Sequence, residues 1–185
     1  MSARIVVLAS GSGTTLQAVL DDPVLRARVV AAGTDVPDCT AMQRAAAAGV
    51  PTFAAVLRDH PDRDAWNDAL GQAIAEHDPD LVVLAGFMRI LGPKVVSRFR
   101  IVNTHPALLP AFPGAHAIRE ALAAGVTTTG VTVHWVDEGV DTGPVIAQVA
   151  VRVESGDDET ALRERIQAAE KPLYVKAIRE LIGES

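Results

Sequence analysis

This chain of 185 residues has a single cysteine, Cys39, so it cannot close an internal disulfide and is expected in a reducing, cytoplasmic setting. Aromatic residues make up only 4%, so a core has to be built from Val, Ile, Leu and Ala. Although 49% of the residues are apolar, no uninterrupted apolar run approaches the ~18 residues of a membrane span. Basic residues are not in excess: 17 Lys and Arg stand against 23 Asp and Glu, a net charge of −6. That balance argues against a general nucleic-acid binder but leaves room for a local anion pocket. No signal-peptide apolar stretch precedes the first strand-like segment. The length suits one domain, 1–185, with a sizeable core.

What is present alternates between short apolar runs and helical periodicity. Arg4 to Ala9 reads as a buried strand. A loop, Ser10-Gly11-Ser12-Gly13-Thr14-Thr15, then leads into a helix through Leu16 to Leu20, capped by one of the threonines. Arg28 to Ala32 predicts a second strand, Cys39 to Ala48 a helix stopped by Gly49 and Pro51, and Thr52 to Val56 a third strand. Asp62 to His77 predicts a helix whose inner face carries Trp66, Leu70 and Ile74 at four-residue spacing. Asp80 to Ala85 and Arg100 to Asn103 are β-branched runs of the kind parallel sheets bury on both faces. This alternation predicts an α/β fold with a doubly wound, mostly parallel sheet and helices on both faces. Gly130 to Val136 and Val145 to Val153 then alternate with period two, which predicts a late, antiparallel strand pair joined by the acidic loop from Asp137 to Pro144. Asp158 to Ile182 predicts a long last helix, with Pro172 the point where it could break.

The chemistry-bearing residues gather around Ile101-Val102-Asn103-Thr104-His105-Pro106. Period-two geometry puts Asn103 and His105 on one face at the end of a strand. An amide donor beside an imidazole can stabilise an oxyanion and move a proton, and Asp141 could complete the set. Both residues could equally cap the strand end. The site would lie at the carboxyl end of a parallel strand, where open α/β sheets bind ligands, and Pro106, Pro110 and Pro113 stiffen the loop that follows.

The first glycine loop can hold an anion on backbone N–H groups at a helix N-terminus, or it can be an ordinary tight turn. It is not a Walker loop, since no Lys follows. It is not a dinucleotide fingerprint either, since the third glycine is missing and nothing marks an acidic residue after strand two. Gly86 to Leu91 is unusually apolar for a loop, and reads as core packing or as a flat wall for a planar heterocycle. His60, His77 and His116 read as surface or cap residues and His134 as an edge-strand histidine. A zinc site from His105, His116 and His134 lacks paired spacing, so no metal is expected.

Together these segments resemble the folate-dependent formyltransferases nearly end to end, from about Ile5 to Ile178. The resemblance rests on Val6-Val7-Leu8-Ala9-Ser10-Gly11-Ser12-Gly13-Thr14, Val83 to Leu91, Asn103-Thr104-His105-Pro106 with Leu108-Leu109-Pro110 and Pro113-Gly114, Gly130 to His134, and Asp141-Thr142-Gly143-Pro144-Val145-Ile146. It implies transfer of a formyl group from 10-formyltetrahydrofolate, as cosubstrate, to the amine of glycinamide ribonucleotide, without a metal. It implies catalytic roles for Asn103 and His105 at the oxyanion, with His105 as imidazolium, and for Asp141 in orienting His105 and shuttling the amine proton. It implies that Arg63, Met88, Arg89, Ile90, Leu91, Asn103, Asp137, Glu138, Gly139, Val140 and Asp141 face the folate. Gly13, Thr14 and Thr15 would take the acceptor's phosphate, Glu170 its ribose or glycinamide, and His134 would stand beside Asp141. One departure is Thr15, where the family commonly has Asn.

Rival readings are a formyltransferase for methionyl-tRNA or an amino-sugar nucleotide, a hydrolase of the same folate, and a silent folate-binding protein. The first two are expected to need an additional domain for which 185 residues leave no room; the last has no use for Asn103, His105 and Asp141 together. Small-molecule partners, no nucleic acid or membrane, and a monomer or homodimer complete the expectation.

Overall fold

In the computed structural model, which describes residues 2–184, the apolar runs form seven strands: β1 (Ile5–Leu8), β2 (Val29–Thr34), β3 (Thr52–Ala54), β4 (Leu81–Leu84), β5 (Ile101–His105), β6 (Thr128–Trp135) and β7 (Val145–Arg152). They make one sheet in the order β3-β2-β1-β4-β5-β6-β7. β1 to β5 pair in parallel, whereas β5–β6 and β6–β7 are antiparallel. The helices are α1 (Thr14–Asp21), α2 (Pro23–Arg26), α3 (Thr40–Ala47), α4 (Arg63–Ala75), α5 (Pro93–Arg98), α6 (Ala117–Ala123) and α7 (Glu159–Leu181). The expected doubly wound sheet and late antiparallel pair are both present.

Strand burial explains the architecture. Every residue of β1 and β4 is buried, as a strand covered on both faces requires. Ile5 and Val7 pack with Leu16 and Val19 of α1, Ala41 and Met42 of α3, and Tyr174 and Ile178 of α7. Val6 and Leu8 point the other way, into Trp66, Leu70 and Ile74 of α4 and Val95 of α5. The strand order reverses between β1 and β4, so the loops after these two strands flank the crevice where doubly wound sheets bind ligands.

Three local expectations are corrected. No threonine caps α1: its N-cap is Gly13, in a left-handed conformation with φ 72°, and Thr14 and Thr15 are already helical. Pro172 does not break α7, which runs through it while Leu162, Ile166, Tyr174, Ala177 and Ile178 are buried on either side. That packing outweighs the ~3 kcal/mol an interior proline costs. β2 continues to Thr34, two residues past the run read from sequence, and an acidic residue, Asp35, follows it directly.

Candidate active site

The antiparallel register of β5 and β6 sets Asn103 opposite His134 and His105 opposite Thr132, so these four side chains leave the sheet on one face. His105 is buried and Asn103 half-buried. β6 runs back against β5, and its last residue, Trp135, lies beside Val102. The 137–144 loop therefore starts at the far end of β5 and must fold back over the sheet to reach His105. It does so: Asp141 Oδ2 lies 3.2 Å from His105 Nδ1 and accepts the Gly114 N–H at 2.8 Å, while Oδ1 lies 3.6 Å from His134 Nε2.

The other nitrogen of His105, Nε2, is 2.7 Å from the Phe112 carbonyl. A carbonyl only accepts, so that nitrogen carries the proton. The neighbouring His134 ring holds the Asp141 carboxyl below its usual range, helped by the Gly114 N–H and the charge of His105 against the opposing effect of burial. Both nitrogens of His105 thus face acceptors, the Phe112 carbonyl and the Asp141 carboxylate. Phe112 and Asp141, the two residues that grip this ring, are non-glycine residues at φ 50° and 55°. Left-handed backbone of this kind costs on the order of 1 kcal/mol or more and persists where the surroundings impose it.

His134 donates from Nδ1 to the Trp135 carbonyl at 2.9 Å. Its Nε2 is buried without a hydrogen-bond partner, and the 3.6 Å approach to Asp141 is an ion pair rather than a hydrogen bond. Burial works against charge on this ring. The Asp141 carboxylate, the Trp135 carbonyl and the charge of Asp137 outweigh it, and the His134 pKa lies above the ordinary value. The loop carrying Asp141 is closed by Asp137 Oδ1, which accepts the Gly139 N–H at 3.0 Å and the Thr142 hydroxyl at 2.7 Å. Asp137 is therefore committed to the loop, while Glu138, Gly139 and Val140 are exposed at its tip. A Cβ on Gly143 would sit 1.8 Å from the Trp135 carbonyl oxygen, the one His134 uses.

On the other side of the sheet, Gly13 packs so closely on α3 that a Cβ would lie 2.5 Å from the Ala41 Cα. The glycine is required by the fold before any ligand is considered. Thr15 donates its hydroxyl to Glu170 Oε1 on α7 at 2.8 Å. Burial raises the Glu170 pKa; the hydroxyls of Thr15 and Thr104 and the charge of Lys171 oppose it.

The 86–92 segment is pinned from both sides. Arg63 donates to the Ile90 carbonyl at 2.7 Å, and buried Asn67 accepts the Gly92 N–H at 2.7 Å. From the β1 side, Ser10 Oγ accepts the Met88 N–H at 2.9 Å and donates to Asp35, whose other oxygen accepts Arg89 Nε at 2.8 Å. Phe87 and Leu91 are buried, and Met88 and Ile90 are left exposed, so the segment serves both as core packing and as an apolar wall. A separate cleft of about 370 Å³ lies between the two loops, walled by Leu109, Pro110, Pro113, Val140, Asp141 and Val145. Arg63 and Met88 to Leu91 do not line it.

Several supporting residues escaped the sequence reading. Thr132 accepts the Leu109 N–H and donates to the Ala107 carbonyl, and Gln148 ties both Thr132 and the Leu109 carbonyl. These bonds fasten the proline loop after His105. The statement that no acid marks the end of strand two is also corrected: Asp35 is that acid, and it serves Ser10 and Arg89.

A model of the formyl transferase family matches residues 3–178. The chain belongs to the formyl transferase family. Among its relatives, the phosphoribosylglycinamide formyltransferase of Mycobacterium tuberculosis is 57% identical over 183 residues, 97% of this chain and 85% of that protein. The Escherichia coli enzyme of the same name is 41% identical over 92% of this chain and 83% of its own. The crystal structure of glycinamide ribonucleotide transformylase 1 from Symbiobacterium toebii matches with a TM-score of 0.95 at 44% identity, over 98% of this chain and 88% of that one. Family membership thus coincides with a site whose polar groups suit acyl-transfer chemistry.

Proposed function

We propose that this formyl transferase moves a formyl group from 10-formyltetrahydrofolate to the amine of phosphoribosylglycinamide, a step of purine synthesis and the activity in the names of its relatives. The observation that carries the proposal is Asp141 set between His105 and His134 on the face that also holds Asn103. The neutral amine attacks the formyl carbon, and the carbonyl oxygen gains charge. Asn103 donates to that oxygen. His105 exchanges its Phe112 carbonyl for the developing charge, and Asp141 holds the imidazolium in place. The bond from the formyl carbon to the folate nitrogen then breaks, and the proton lost by the amine reaches that nitrogen by way of Asp141 and water. One preorganised donor supplies ~3–4 kcal/mol to such a transition state, so this set suffices without a metal.

Gly13, Thr14 and Thr15 would meet the acceptor's phosphate at the start of α1, with Glu170 next to its ribose or glycinamide. Arg63 acts on the folate side by fixing the Ile90 carbonyl. The enzyme is proposed to work in the cytoplasm on small molecules only, as a monomer or homodimer. The test is deformylation of 10-formyltetrahydrofolate or its dideaza analogue, followed by absorbance, with and without phosphoribosylglycinamide. Acceptor-dependent deformylation is the expected result. Deformylation that ignores the acceptor would identify a hydrolase, and folate binding without turnover a silent binder; either overturns the proposal.

A further inference from the structure

Asp35 is a buried carboxylate that the proposed reaction does not use. Its side chain is 2% exposed, a position in which a charge is costly unless it is paired and hydrogen-bonded. It is both: one oxygen takes the Ser10 hydroxyl and the other takes Nε of Arg89, whose side chain is 43% exposed. Ser10 opens the glycine loop, and its Oγ also holds the Met88 amide. One carboxylate at the end of β2 therefore fixes the 86–91 wall twice, through the Met88 backbone and through the Arg89 side chain. Arg89 meets Asp35 through Nε while its side chain stays partly exposed, and a cation held on this wall suits the carboxylates of a folate tail.

We propose that Asp35 is a positioning residue for folate binding, acting through Arg89 and, by way of Ser10, through the Met88 backbone. This rests on the formyl-transfer reading given above. Asp35→Asn keeps the volume and an acceptor for Ser10 but removes the charge that orients Arg89. The dissociation constant of 10-formyl-5,8-dideazafolate, measured by direct titration, should rise about tenfold, equivalent to ~1.4 kcal/mol. The KM for the same folate should rise in step, with kcat and the acceptor KM within about twofold of the parent. In an Arg89→Ala background, Asp35→Asn should weaken folate binding by a much smaller factor, because only the Met88 anchor is left to disturb; a merely structural role would not show this dependence. Ser10→Ala removes only a hydroxyl and gives a second reading should Asp35→Asn fail to fold: folate binding weakens several-fold while the acceptor KM holds. Unchanged folate binding in both variants would overturn the inference, and so would an equal loss in the Arg89→Ala background. If the parent shows no acceptor-dependent turnover, the formyl-transfer reading falls, and the titration still reads the role of Asp35 on its own.

Discussion

Replacing Asp141 with Asn keeps the shape of the side chain and takes away its charge, and the structure says what each contact would then lose. The amide oxygen can still accept the Gly114 N–H that Asp141 holds at 2.8 Å, so the meeting of the two loops survives. Beside His105 Nδ1, 3.2 Å away, the variant offers at best a neutral acceptor, and the 3.6 Å ion pair to His134 is lost outright. His105 loses the carboxylate that fixes the orientation of its ring. Positioned proton transfer is worth ~10²–10⁴-fold, so turnover should fall by that factor, or ~3–5 kcal/mol of barrier. Folding should change little, because His134 can shed its proton once the carboxylate is gone. A loss of ~1 kcal/mol would move Tm by only ~2–4 °C in a chain of this size. The assay is acceptor-dependent deformylation at saturating substrates, with a titration of the dideaza folate and a thermal melt on the same preparation. Turnover within about threefold of the parent, with folding and folate binding intact, would remove Asp141 from the chemistry.

Two other perturbations test how the site is supported. Gly143→Ala puts a Cβ 1.8 Å from the Trp135 carbonyl, so the 137–144 loop must shift Asp141; kcat should fall at least about tenfold, and unaltered kinetics would show that the loop's position is not critical. For His134→Gln the effect depends on pH. The folded pKa of His134 is raised, so the stability it brings is complete below the unfolded value of ~6.5 and is lost as pH rises through the higher folded value. The lowered pKa of Asp141 gives the opposite limit: its contribution is present above ~4 and fades as pH falls through the folded value. In urea unfolding at pH 5.5, 7 and 9, the parent's advantage over His134→Gln should shrink toward the alkaline end, and an advantage independent of pH would contradict the ion pair.

The fold was legible wherever burial wrote itself into composition. β1 and β4 are covered on both faces and have to be apolar throughout, so their runs stand out; the sequences of β6 and β7 alternate, although β6 is buried along most of its length and β7, at the sheet edge, is mostly half-buried or exposed. Trp66, Leu70 and Ile74 lie as their spacing requires, all fully buried against the sheet. Sequence failed at the ends of elements, where neighbours decide. Gly13 caps α1 because its backbone turns left-handed beneath Ala41, which leaves the threonine hydroxyls free for other partners, and Thr15 finds Glu170 155 residues away. Pro172 could be read as a break only because the packing of α7 on the sheet is invisible in the local sequence.

The site divides along the same line. Asn103 and His105 share a face by the period of a strand, a purely local rule, and that part needed no structure. The approach of Asp141 is a different matter. It depends on β6 pairing antiparallel to β5, which carries the acidic loop to the wrong end of the strand, and on the loop then folding back past Trp135. A separation of 36 positions between His105 and Asp141 contains none of this. The glycines do carry a trace of it, since Gly143 is there to let the loop pass the Trp135 carbonyl, but only coordinates say which atom it avoids. Asp35 was closer to being found: extending strand two by the two residues Gly33 and Thr34 puts an acid at its carboxyl end, facing the crevice that doubly wound sheets use. What no pattern could supply is that its partners are a serine on β1's loop and an arginine on β4's. A buried carboxylate takes whichever donors the fold delivers, and here the strand order delivers those two.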